Sequence, residues 1–393
     1  MIVAGPPWFK SADNPRKTLF ANALAWVDHF RPRYFLAENV VGLLGEKLRG
    51  RHTGAEDGPK NFIKSGYHKF ILRALTGMGY QVRWAVLHSG AYGIPQTRRR
   101  VMYWAAQQGV KIPQFPLPTH VIPSPPHNPK LVMAVSLPTY GKVEVIQRIG
   151  GCAALAPVTV RDAIDDLPGF HWKDPDTPES SSRLQMKLKL YSADIAYNSL
   201  SGPPDDVPYA SKPMNEYQRW IRNGSTTVTH HQTKCFGSMM VKRIINIPDR
   251  ANADHRDLPP DLAFRSFISA HGGAPRNQEY RRLFGRVQWD RAFPTIVTDI
   301  NPTHKQGQVL HPKQRRVLSV RECARAQGFP DTCVFKSLRG NLKDYHRQIG
   351  NAVPIPLGIA LGRELGVVLL KARRSANNDG DDEESGWESA ESA

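Results

Sequence analysis

Short apolar runs that stop at prolines or charged residues, separated by helical patterns, constrain this chain most. Met1–Gly5 is apolar and ends at Pro6-Pro7. Across residues 18–30, Leu19, Ala23, Trp26, Val27 and Phe30 recur at helical spacing. Tyr34–Val40 is strand-like and carries the polar pair Glu38-Asn39 near its end. Gly66–Gly77 reads as a helix, Tyr80–His88 as a strand, and Arg100–Ala105 as another. Strands alternating with helices across short connections predict an α/β fold around a parallel, doubly wound sheet.

The pattern fails after residue 111. Prolines cluster at 113, 116, 118, 123, 125, 126 and 129, and polar loops replace periodic segments. Residues 1–111 are therefore expected to form one part of an α/β domain, and residues 112–290 an irregular, mainly loop and β lobe. Residues 291–374 are expected to return to the first domain, closing it with an apolar helix over Ile355–Leu370. The Ser-rich, acidic stretch 375–393 predicts a disordered tail. No run of eighteen apolar residues is present, so no membrane span is expected.

Lys and Arg number 53 against 35 acidic residues, a net charge of +18. Setting aside the last fifteen residues, which hold seven carboxylates and no Lys or Arg, leaves residues 1–378 at +25. A body this basic suits a polyanion, nucleic acid above all. The four cysteines, Cys152, Cys235, Cys323 and Cys333, form no Cys-x-x-Cys pair and no zinc-ligand spacing, so no metal site is expected.

Five segments carry chemistry. Pro6-Pro7 follows an apolar strand, and in open α/β sheets ligands bind where strands end. "FLAENVVGLL" (35–44) puts Glu38 near a strand end, where it fits a ligand contact or an ordinary solvated acid. "GAYGIPQTRRRVMYWA" (90–105) alternates Gln96, Arg98 and Arg100, which an extended chain points to one face. That face suits phosphate or base contacts, or equally a basic edge strand turned to solvent. "LSVRECARAQGFPD" (318–331) and "HRQIGNAVPIPLGIALGREL" (346–365) complete the set; the second places Gly350-Asn351 and Val353 before a helix.

In this order the five segments resemble the motifs of DNA cytosine-5 methyltransferases. "VTVRDAIDDLPGF" (158–170) is similar as well, and residues 286–331 are especially similar to the eukaryotic maintenance type and its fungal relatives. The resemblance implies methyl transfer from S-adenosylmethionine to C5 of cytosine in DNA, a nuclear location, and a base flipped out of its duplex. It implies Glu38 as the acid at the base, Arg100 as the group holding the base, and Arg98 as its support. Asn351 and Val353 would close over the cofactor, while Pro6, Pro7 and Gln96 would position base and DNA.

Two departures weigh against activity. The family continues Pro-Pro with Cys-Gln, and that cysteine adds to C6 of the base. Here Pro7 is followed by Trp8-Phe9-Lys10, and no cysteine precedes Cys152. Tryptophan forms no such adduct. The span from Pro7 to Glu38 is also shorter than the family's. The first strands and Gly-rich cofactor turn of the family have no counterpart, so the resemblance implies doubtful cofactor binding and an upstream segment or partner that completes the sheet. The expected activity is that of a family member inactive as written; the alternative is a catalytically dead DNA-binding or scaffold protein.

Overall fold

The computed structural model describes residues 2–3, 19–49, 62–122, 134–137, 139–146, 153–176, 193–195, 202–203, 205–264, 282–304, 306–338 and 340–387. Its organising element is a six-stranded mixed sheet in the order β1-β2-β6-β5-β8-β7. The strands are β1 (Ile2–Val3), β2 (Tyr34–Val40), β5 (Tyr80–His88), β6 (Arg99–Gln107), β7 (Ala134–Leu137) and β8 (Gly141–Ile146). A small antiparallel pair, β3 (Leu48–Arg49) and β4 (Phe62–Ile63), stands beside it.

The α/β sheet expected from the sequence is present, and it is mixed rather than parallel throughout. Helices α1 (Leu19–Phe30) and α2 (Gly66–Gly77) follow β1 and β2, and the strands they lead to keep one direction. β6 follows β5 through residues 89–98 with no crossover helix, and so returns antiparallel to β5 and to β2. It lies inside the sheet with neighbours on both sides, which excludes the solvent-facing edge strand.

The core follows from strand alternation. Val101, Tyr103 and Ala105 face α1 and α2, packing with Phe20, Leu24, Val27, Ile71 and Leu75. Met102 and Trp104 face the other way, onto Leu357 and Leu361 of the last helix. On α1 the buried stripe is Phe20, Ala23, Leu24 and Val27. Leu19, Trp26 and Phe30, which the spacing assigned to the same apolar face, are exposed, with Trp26 and Phe30 stacked on each other. The expected set spans more of the helix circumference than one flat sheet covers.

β7 and β8 lie in the stretch expected to be an irregular lobe, yet β8 pairs with β5 through Val86 and Val145 and extends the main sheet. A second hydrophobic cluster joins α3 (Val160–Ile164), α4 (Glu216–Arg222), α5 (Ser238–Ile245), α6 (Val320–Ala326) and α7 (Leu342–Asn351). It runs across the boundary expected at residue 290. Fully buried Arg325 pairs with Asp166 at 2.5 Å and with Asp331 at 2.6 Å, tying α3 to α6.

The final helix, α8, runs from Ile355 to Trp387 rather than ending near Leu370, so the tail expected to be disordered from residue 375 begins as helix. No proline interrupts it after Pro356, and extending a formed helix costs far less than starting one. The stretch Leu342–Ser375 is long and apolar enough to cross a bilayer by length and composition, but Leu357, Leu361 and Val368 are buried against protein.

Candidate active site

Glu38 and Arg100 meet because of strand register. Glu38 stands opposite Met102, and Val40 opposite Arg100, so Glu38 and Arg100 are diagonal neighbours on one face. Arg100 Nε lies 2.7 Å from Glu38 Oε1, an ion pair poorly aligned as a hydrogen bond. Arg100 also donates to the carbonyl of Arg99 at 2.8 Å. Only 3% of the Glu38 side chain and 10% of that of Arg100 reach solvent.

Burial pushes the Glu38 carboxyl above the ordinary range, and Arg100 and Arg98 partly oppose it. Burial also lowers both guanidiniums, Arg98 to about 9. The result is a carboxyl that holds its proton more readily than an exposed glutamate does, beside a guanidinium with donors in a fixed plane. Together they offer both donors and acceptors to the polar edge of a planar heterocycle.

Arg98 sits just before β6 and points elsewhere. Its guanidinium donates to the carbonyls of Ile296 at 3.2 Å, Gly350 at 3.0 Å and Ala352 at 3.0 Å. Gln96 is fully buried: its amide donates to Ala326 O and Gln327 Oε1, and its carbonyl accepts from Ile296 N. Both ends of the Gln96 amide are thus spent inside the protein, so any positioning by this residue acts through the main chain it holds. The alternation of Gln96, Arg98 and Arg100 requires extended chain, and β6 starts only at Arg99.

Residues 293–297, which the resemblance covers without assigning a role, brace this turn. Thr97 N donates to Phe293 O, Phe293 N to Pro95 O, and Thr295 Oγ1 to Thr97 O. The sequence signal is only a short apolar run containing Pro294, too common to single out. Pro6, Pro7 and Trp8 lie outside the described residues.

Asn351 ends α7 and is exposed, so its amide is free to face a ligand. Val353 is buried with Leu87, Met102 and Trp104, and offers main chain rather than side chain. Among the described residues no cluster of His, Cys, Asp and Glu is arranged to hold a metal.

Of the cysteines, Cys323 is fully buried within α6, and burial holds its thiol well above the usual range. It stays protonated at neutral pH. Cys235 is exposed and Cys333 half-buried; Cys152 lies outside the described residues.

Residues 9–366 match the family described as C-5 cytosine-specific DNA methylase. The chain is 34% identical over 350 residues to DNA (cytosine-5)-methyltransferase 1A of Oryza sativa subsp. japonica, covering 87% of this chain and 19% of that protein. It is 34% identical over 391 residues to DNA (cytosine-5)-methyltransferase 1 of Rattus norvegicus, covering 92% of this chain and 22% of that protein. The chain thus spans about a fifth of the length of the curated relatives it matches. Among solved structures, a putative DNA modification methyltransferase encoded within an E. coli prophage covers 91% of this chain and 75% of its own, at 16% identity and a TM-score of 0.49. By a family match that takes in nearly its whole length, this chain belongs to the C-5 cytosine-specific DNA methylases.

Proposed function

We propose that this chain is the base-holding part of a DNA (cytosine-5)-methyltransferase, and that as written it binds DNA without transferring a methyl group. The buried Glu38–Arg100 pair at 2.7 Å carries the reading. A cytosine presents N3, its exocyclic amine and O2 along one edge. Glu38 would meet N3 and the amine, and Arg100 would meet O2. Entry of the base requires Arg100 to turn partly away from Glu38. Arg98, Asn351 and Val353 would position this site and one edge of the cofactor's.

The family's methyl donor is S-adenosylmethionine. Its binding here would be weak, because Asn351 and Val353 offer one edge only. No nucleophile stands after Pro7, where Trp8 occurs, and the thiol of Cys323 is buried and protonated. The net charge of +18 favours DNA as partner through a term that falls steeply with salt. Among the described residues β1 pairs only with β2, at the end of the sheet, which favours an upstream segment or partner strand along its other edge. We place the protein in the nucleus, where its DNA would be.

The test uses the whole chain, tritiated S-adenosylmethionine, and duplexes containing cytosine or 5-fluorocytosine. The expected outcome is salt-sensitive duplex binding with neither methyl incorporation nor a covalent adduct. Incorporation at cytosine C5 would overturn the inactive reading, and absence of duplex binding at low salt would overturn the DNA reading. A catalytically dead scaffold is the second reading, favoured by the same charge; an unchanged affinity for duplexes on replacing Glu38 and Arg100 together would support it over base holding.

A further inference from the structure

A cavity of about 570 Å³ opens on the seam between the main sheet and the second lobe, and no residue assigned above to base or cofactor lines it. Tyr92 and His120 come from the sheet side, Leu155 and Trp220 from the second lobe, and Ile359 and Arg363 from α8. Its size falls within the range of small-molecule sites, which favour junctions of this kind.

The walls are built rather than accidental. Two main-chain bonds, Val121 N to Leu155 O and Leu155 N to Thr119 O, fasten the two sides together. The His120 ring lies against Gly93, where an added Cβ would come within 2.8 Å of its Cε1. Tyr92 is buried and donates to Pro116 O, fixing its ring. Trp220 packs against buried Tyr217 with ring centroids 5.7 Å apart. Trp220, Leu155 and Ile359 nonetheless remain 40%, 52% and 45% exposed, so their apolar faces turn outward.

The charged groups of the lining, Asp162, Glu216 and Arg363, differ in how they are engaged. The Asp162 carboxylate is held by the Thr159 main chain and hydroxyl, and Glu216 pairs with Arg219. Arg363 has no ion-pair or side-chain hydrogen-bond partner among the described residues. An apolar cavity with aromatic walls and an unpaired guanidinium on its rim suits an aromatic ring carrying negative charge.

We propose that this seam cavity binds a planar aromatic anion, its rings between Trp220, Leu155 and Ile359 and its anionic group on Arg363. The ligand would bridge α4 and α8 across the two lobes, a place from which it could bias their relative position. The proposal is independent of the base-holding reading, because it uses none of those residues.

Naphthalene-2-sulfonate serves as probe and 2-naphthylmethanol as its uncharged counterpart, titrated into the full chain by calorimetry. One saturable site is expected for the sulfonate, with the alcohol and the Arg363→Glu variant each weaker by about tenfold. Leu155→Glu should weaken binding of both probes, of the sulfonate by repulsion and of the alcohol by loss of the apolar wall. Arg363 and Leu155 are exposed, so neither variant threatens folding; duplex binding by each confirms it independently. Absence of saturable binding at millimolar probe would overturn the proposal. So would sulfonate binding that Arg363→Glu leaves unchanged, or binding that Leu155→Glu leaves intact.

Discussion

Arg98 donates through Nη2 to the carbonyl of Gly350 at 3.0 Å, joining the start of the Arg100 strand to the end of the helix that carries Asn351. The same nitrogen reaches Ala352 O at 3.0 Å, and Nη1 reaches Ile296 O at 3.2 Å. One guanidinium therefore satisfies three carbonyls from two separate segments. Lysine keeps the charge but lacks the planar fork. Arg98→Lys should lower the unfolding free energy by about 2–4 kcal/mol, since buried acceptors lose charge-assisted bonds. Urea unfolding reads this directly, and a wild-type midpoint would show that the three contacts carry no stability.

Gly350 is required for a steric reason. A Cβ there would lie 2.6 Å from Thr298 N and from Val297 C, both main-chain atoms with little freedom to yield. Gly350→Ala should destabilise by about 2–4 kcal/mol through overpacking. Gly362, in α8, supplies the control: an added Cβ meets nothing within 4 Å. Gly362→Ala should stabilise by up to about 1 kcal/mol from helix propensity. Equal effects of the two changes would refute the close-packing account.

Much of the first lobe was legible because local patterns decide it. Tyr34–Val40, Gly66–Gly77 and Tyr80–His88 are the strand, helix and strand that periodicity predicts. The pairing of Glu38 with Arg100 was not legible, because it depends on antiparallel register between strands far apart in sequence. The burial of Gln96 was not legible for a related reason: its partners Ala326 and Gln327 stand more than two hundred positions away. The sequence placed β8 in the irregular lobe because the prolines before it suggest loop. Its place on the sheet comes from β5, whose exposed edge it covers.

Acid should destabilise the fold well before the carboxylates titrate. Burial holds His231 and His346 down to about 4 and His88 to about 3, so each stays neutral in the folded protein across mildly acidic pH. In the unfolded chain each binds a proton near pH 6.5. The unfolded state therefore holds more protons between about pH 6.5 and pH 4, and stability present above that window is lost as pH falls through it. Glu322 adds a later loss: Arg316 holds its carboxyl well below the ordinary range, so its contribution disappears only as pH falls below that range. Glu38 works the other way, since its raised value favours the folded state when protonated, and it partly offsets the decline. His346 isolates the histidine effect, because neither ring nitrogen has a hydrogen-bond partner and no bond is lost on replacing it. His346→Phe should keep most of the packing of α7 and shrink the stability difference between pH 7 and pH 5 by about 1–2 kcal/mol. Chemical denaturation at the two pH values measures it. An unchanged difference would mean that His346 takes up its proton in the folded protein as readily as in the unfolded chain.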